Sequence, residues 1–290
     1  MEPMGEDEWL AARFEASRPR LQAVAYRMLG SLAEAEDAVQ EAWIRAAGGG
    51  AGDVTNLEGW LTTIVARVCL DMLRSRKSRR EEPLQAEDAA KAAGPEQEAV
   101  LADSVGLALL VVLDALAPAE RVAFVLHDMF GLPFGEIGAV TGRSPAAARQ
   151  LASRARRRVQ GTSSVPRARL ARQREVASAF LAASRGGDLG ALLAVLDPEV
   201  VLHADAAAAW FGHPVTLRGA AAVARGAVAA SALSRYSGIA LVNGSPGIVT
   251  APLGRLERAL AFTIADGKIT RIEVIADPAR LAELDLAVLG

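Results

Sequence analysis

Between Ser144 and Val159 the sequence SPAAARQLASRARRRV carries Arg149, Arg154, Arg156, Arg157 and Arg158, with Gln150 and Ser153 among them and no acidic residue. Guanidinium forks match phosphate oxygens and guanine edges, while amides and hydroxyls match other base edges, so the chemistry on offer is contact with nucleic acid. A helix must position these groups. Ser144 is a good N-cap, and Pro145 fits the first helical position, where a missing N–H costs nothing. Ala148, Leu151 and Ala155, spaced i, i+3, i+7, form a stripe to bury, leaving Arg149, Gln150, Ser153 and Arg154 directed at a groove. Just upstream, FGEIGAVTGR places Ile137 and Val140 on one helical face and Gly142 where the chain must turn, which makes a helix-turn-helix. The plain alternative is a solvated basic helix. Such helices are normally laced with acids four residues away, and this one has none.

A second charged face precedes it. Ser31 with Glu34 forms a capping-box pattern, and the helix it opens buries Leu32, Val39 and Trp43. Glu34, Asp37 and Glu41 fall on its outer side with Gln40 beside them, as either an ordinary wet face or a docking surface for a basic partner. Residues 46 to 56 are too rich in glycine for a helix interior and are expected to form a loop. In the helix after it, Leu61, Ile64, Val65, Val68 and Met72 make the buried stripe. Arg67, Asp71 and Arg74 share the other side, where Asp71 can fix either arginine. The first 30 residues read as two helices, 9–17 and 19–29, with Pro19 starting the second.

At 290 residues the chain has room for two or three domains. Its net charge of −2 means that affinity for nucleic acid must come from local clustering, as in residues 60 to 80, where six basic side chains face Asp71 alone. A single cysteine, Cys69, excludes an internal disulfide and a cysteine-built metal site; neither metal nor cofactor is expected. No charged-then-apolar leader opens the sequence and no apolar run approaches about twenty residues, so a cytoplasmic location without membrane contact is expected. Residues 81–104 and 161–169 read as linkers. The expected divisions are therefore a helical domain over 1–80, a helix-turn-helix domain over 105–160, and a third domain over 170–290.

In that last part, 170–185, 188–196 and 218–232 read as helices. Glu199–Ala204, Arg235–Val242, Ile248–Leu253, Leu256–Ala265 and Lys268–Ile275 read as strands, with turns at Asn243-Gly244 and Asp266-Gly267. This is an α+β domain with a curved sheet over helices. His203, Asp205, Trp210 and His213 lie close in sequence, and the first three are its candidate pocket residues, without a catalytic role assigned.

Two separated stretches carry a resemblance. AEDAVQEAWIRA with WLTTIVARVCLDMLRSRKSRR resembles region 2 of bacterial extracytoplasmic-function sigma factors, and LDALAPAERVAFVLHDMFGLPFGEIGAVTGRSPAAARQLASRARRRV resembles their region 4. The tail is similar to the SnoaL-like, NTF2-like cone fold fused to one subclass of them, although Ala206 to Ala209 stand where that subclass has glycines and a basic residue. The resemblance implies two all-α sigma domains followed by an α+β NTF2-like domain. It also implies binding to core RNA polymerase and delivery of it to promoter DNA, with no enzymatic activity. Asp37, Gln40 and Glu41 match the polymerase-docking region. Asp53, Asn56, Arg67, Asp71 and Arg74 match the minus-ten surface. Arg143, Ser144, Arg149, Gln150, Ser153, Arg154 and Arg157 match the minus-thirty-five surface. A DNA-binding regulator with a ligand-sensing or catalytic cone domain is the alternative. A small-molecule ligand of the tail is open on this reading.

Overall fold

Glu6–Leu29 is one helix, α1, where the sequence reads as two. Pro19 sits inside it and removes one backbone hydrogen bond. Burial on both sides of the proline compensates: Phe14, Leu21, Val24, Ala25 and Met28 all lie in the core. Gly30, at φ +78°, ends the helix with its N–H on the Tyr26 carbonyl. The computed structural model describes residues 6–49, 54–81, 106–161, 165–209 and 212–288.

Helix α2, Leu32–Gly49, continues into the expected loop because Ala46 is still on its buried stripe. Helix α3, Leu57–Glu81, buries Leu61, Val65 and Val68 of the predicted stripe, leaves Ile64 and Met72 partly exposed, and buries Cys69, Leu70 and Leu73 as well. Burial pushes the Cys69 thiol up to about 12, so it behaves as a small apolar group. Then come α4 (Leu107–Asp114), α5 (Pro118–Phe124), a π-helical turn over Val125–Met129, α6 (Phe134–Thr141) and α7 (Pro145–Gln160). Helices α5 and α6 pack against α3. At the centre Arg121, 2% exposed, donates to Asp114 at 3.0 Å, with its guanidinium beside Gly30.

The chain divides into two compact units, Met1–Glu98 with Leu113–Arg156, and Ala99–Val112 with Arg157–Gly290. In the second, α8 (Arg167–Gly186) and α9 (Leu189–Val195) lead into a seven-stranded sheet among the described residues. Its strands are β1 (Leu196–Ala204), β2 (Val215–Arg218), β3 (Ser237–Val242), β4 (Ser245–Thr250), β5 (Arg258–Ala265), β6 (Lys268–Ile275) and β7 (Leu286–Ala287). The order is β2-β1-β6-β5-β4-β3-β7, with β1 and β6 parallel. Helices α10 (Ala220–Ala229) and α11 (Ser231–Ser234) precede β3, and α12 (Pro278–Ala282) precedes β7. Strands β2 and β7 and helix α12 go beyond the sequence reading, being too short for a periodic signal. Asn243 and Asp266 adopt φ +52° and +49°, each followed by a glycine at positive φ, so both turns are the tight hairpins that their residue types predict.

Alternation splits the sheet into two faces. Ile248, Leu260, Phe262, Ile272 and Val274 meet Ala177 and Phe180 of α8, Leu192 of α9 and Val223 of α10. On the other face Ala240, Val242, Val249, Ala251 and Ala259 meet Ala108 and Val111 of α4. The first turns of α4, read as the start of the helix-turn-helix domain, thus pack on the C-terminal sheet. The last turn of α7 is held there as well, the Val159 carbonyl accepting from Val288 N–H at 2.7 Å. The expected linker over 81–104 falls almost wholly outside the described residues.

Candidate nucleic-acid interface and a C-terminal cavity

Helix α7 is built as its sequence predicts. Ser144 Oγ accepts from Ala147 N–H at 3.2 Å, and Ala148, Leu151 and Ala155 are buried. Gly142 is left-handed at φ +68°. Gly138 is required for a different reason: a Cβ there would stand 2.7 Å from the Arg143 carbonyl, so only glycine lets the two helices meet this closely. Arg143, Ser144, Arg149, Gln150, Ser153, Arg154 and Arg157 are all exposed. Arg149 lies over the Phe134 ring at 5.3 Å, Arg154 Nε is 3.1 Å from Glu120, and Arg156 Nε donates to Asp128 at 2.8 Å. The acids absent from the helix's own sequence are supplied from α5 and the π-helical turn.

On α3, Asn56 is an N-cap: its Oδ1 accepts from Gly59 N–H at 3.0 Å. Arg67, Asp71 and Arg74 form an exposed row. Asp71 lies 3.9 Å from Arg74 and 3.8 Å from Arg45 of α2, and Arg67 turns away to donate to the Ala139 carbonyl at 3.3 Å. Asp53 lies outside the described residues. On α2, Asp37 and Gln40 are exposed and Glu41 is half-exposed, paired with Arg45 at 2.9 Å. Glu34 has left this face to pair with Arg76 of α3. Ile44, one helical turn beyond Gln40 and Glu41, is 60% exposed. Sequence alone does not single it out, because an apolar residue in a helical pattern is ordinarily assigned to the core.

In the second unit an apolar cavity of about 310 Å³ lies between the sheet and α8, α10 and α11, with Arg258, Ser237 and Thr250 in its wall. Its described lining includes Leu202 and Ala204 of β1 but neither His203 nor Asp205. His203 points to the opposite face by alternation, its Nδ1 3.0 Å from Thr216 Oγ1 on the paired strand. Asp205 is a buried structural anion. Burial alone would raise its pKa, but the N–H groups of Asp277, Ala276 and Ala208, with Arg280, hold the carboxyl below its usual range. Trp210 lies outside the described residues. Among the described residues no group of three or more His, Cys, Asp or Glu is placed to hold a metal, and no helix is long and apolar enough to cross a membrane.

The Sigma-70 region 2 family matches residues 13–79, and the Sigma-70, region 4 family matches residues 106–159. The probable ECF RNA polymerase sigma factor SigI of Mycobacterium tuberculosis is 36% identical, over 97% of this chain and 98% of its own length. The ECF RNA polymerase sigma factor SigJ of the same organism is 37% identical, over 92% of this chain and 91% of its own. The crystal structure of Mycobacterium tuberculosis SigJ aligns with a TM-score of 0.46 and 35% identity, over 93% of this chain and 98% of that one. With both sigma regions matched in order and relatives aligned from end to end, the chain belongs to the extracytoplasmic-function RNA polymerase sigma factors.

Proposed function

We propose that this protein binds core RNA polymerase through Asp37, Gln40 and Glu41 and directs it to promoters carrying particular minus-ten and minus-thirty-five elements. It works in the cytoplasm without catalysis of its own, and the C-terminal unit tunes it in cis. The observation that carries the reading is the pair of open faces on one chain: the acidic side of α2 and the groove-directed side of α7. Arg149, Gln150, Ser153 and Arg154 read upstream base edges, with Arg143, Ser144 and Arg157 on flanking phosphates. Asn56, Arg67, Asp71 and Arg74, with Asp53, meet the strand exposed as the duplex opens. Neither half needs to bind tightly alone, because tethering on one polymerase raises the effective concentration of the second contact.

The polar partners that these arginines hold in the free protein are easily exchanged. Arg154 is more than half exposed, so its bridge to Glu120 contributes at most about 1 kcal/mol. Arg67 makes one long hydrogen bond to α6. Elements about 25 base pairs apart are separated by about 85 Å of duplex, at about 3.4 Å per pair. Reading both therefore requires α6 to part from α3, against which it packs here.

The test is open-complex formation on a promoter library by the full chain with bacterial core polymerase. Selective opening is the expected result, and Arg149→Ala is expected to reduce it at promoters sharing one upstream sequence. Absence of opening while duplex DNA is still bound would overturn the proposal in favour of a stand-alone DNA-binding regulator. An equal loss on all DNA would reduce Arg149 to a phosphate contact.

A further inference from the structure

From the C-terminal cavity we infer a binding site for a small amphipathic anion, an apolar body ending in a carboxylate, with its head on Arg258. The inference deepens the cis-tuning reading and depends on it only for regulatory meaning. The apolar part of the wall, including Phe180, Leu217, Ala227 and Leu260, suits a medium-length alkyl or aromatic body. The polar part decides the head group.

The hydroxyl protons in the wall are already committed. Ser184 donates to the Phe180 carbonyl at 2.8 Å and Ser234 to the Ser231 carbonyl at 2.6 Å. Ser237 donates to the Leu233 carbonyl at 3.1 Å, which leaves Thr250 to donate to Ser237 at 2.8 Å. Arg258 differs from all of these. Its half-buried guanidinium lines the cavity and makes no hydrogen bond, and no ion pair within 4.0 Å, with the described residues. Burial pulls its pKa below the usual arginine value, while Asp205 and Glu257 exert their charge only from farther away. A half-buried cation with open donors at the edge of an apolar chamber is a receptor for a carboxylate, which can take the guanidinium fork in a bidentate pair. An ammonium head would be repelled, and a neutral alcohol would leave the charge uncompensated.

The site also has a route to the rest of the chain. Ile248, Thr250, Arg258 and Leu260 face the cavity, while Val249 of β4, Ala251 just after it and Ala259 of β5, alternating with them, carry Ala108 and Val111 of α4 on the other side. Occupancy thus bears on the strands that seat the first turns of region 4.

The test is calorimetric titration of the full chain with sodium decanoate, with decanol and decylammonium as matched probes. Decanoate is expected to bind one to one with a Kd on the order of 10–100 µM. Decanol should bind at least tenfold more weakly and decylammonium not at all. Arg258→Leu is expected to erase the tenfold preference and leave decanol unchanged, and Ala227→Trp, which fills the chamber, to abolish both. Equal binding of decanoate and decanol, an unchanged preference in Arg258→Leu, or decanoate binding that survives Ala227→Trp would each overturn the site. Thermal unfolding of every variant verifies the fold, and Leu260→Trp is the second filling variant. Promoter output is measured separately: decanoate bound through Arg258 without effect on any promoter supports the site and overturns the tuning reading alone.

Discussion

The two units use arginine in opposite ways. On α7 and α3 the side chains are exposed and lightly held, by Glu120 on Arg154 and the Ala139 carbonyl on Arg67. In the cavity wall Arg258 is half-buried and lacks a hydrogen-bond partner among the described residues. The first arrangement suits a ligand that arrives with many phosphates and is released again, because each exchanged contact is nearly isoenergetic with the one it replaces. The second suits a single small ligand, because a bidentate pair at a half-buried guanidinium is stronger and more selective than one at the open surface. Arg121 shows a third use: it is as buried as a core leucine and is ion-paired with Asp114 at 3.0 Å, so its role is structural.

That contrast is most sharply tested at Arg121. Arg121→Ala removes one partner of a buried pair and leaves a cavity beside α3, and is expected to destabilise the first unit by about 3 kcal/mol. Hydrogen exchange of α3 and α5 measures this loss. Decanoate binding in the second unit should be unchanged; if it falls in parallel, the two arginines belong to one cooperative system and the contrast fails.

A smaller effect is expected at Ile44. An exposed apolar side chain one helical turn from Gln40 and Glu41 has the form of an interface anchor beside a polar rim. Ile44→Asp should weaken binding to core polymerase by about tenfold, or about 1.4 kcal/mol, with no change in unfolding temperature. Equal affinity of the variant and parent would leave the acidic residues as the whole docking surface.

Helix faces were legible in advance because they are local. Ser144, Pro145, the Ala148–Leu151–Ala155 stripe and Gly142 all fall within one 3.6-residue pattern, and each takes the place that the pattern assigns. The C-terminal cavity is not local. Arg258 reaches its wall through the pairing of β5 with β4, where it stands opposite Thr250, and no spacing within either strand encodes that register. The same limit explains His203: its nearness in sequence to Asp205 suggested a shared pocket, but strand alternation sends it to the other face. Helix α4, apolar all round as LALLVVLD, gave no sign of which neighbour it would meet. Pro19 misled in the opposite direction, a local breaker signal overridden by tertiary burial.

Asp205 gives the smallest effect and separates structural from ligand-directed charge within the second unit. Its carboxylate joins the end of β1 to the residues after β6 through three backbone N–H donors, and its pKa is depressed in the folded state. A depressed folded value means that the contribution is complete above the unfolded pKa, about 3.9, and is lost as pH falls through that value toward the folded one. Protection of β1 and β6 amides should therefore be flat from neutrality to about pH 4 and decline below it. Asp205→Asn loses the charge and places an NH2 where one of the two accepting oxygens stood, so it should cost about 1 kcal/mol at neutral pH and flatten the acid decline. Decanoate affinity should change little, because Asp205 acts on Arg258 only from beyond ion-pair distance. A tenfold gain in decanoate affinity on removing the Asp205 charge would instead show that the carboxylate holds Arg258 in check, making the two one electrostatic unit.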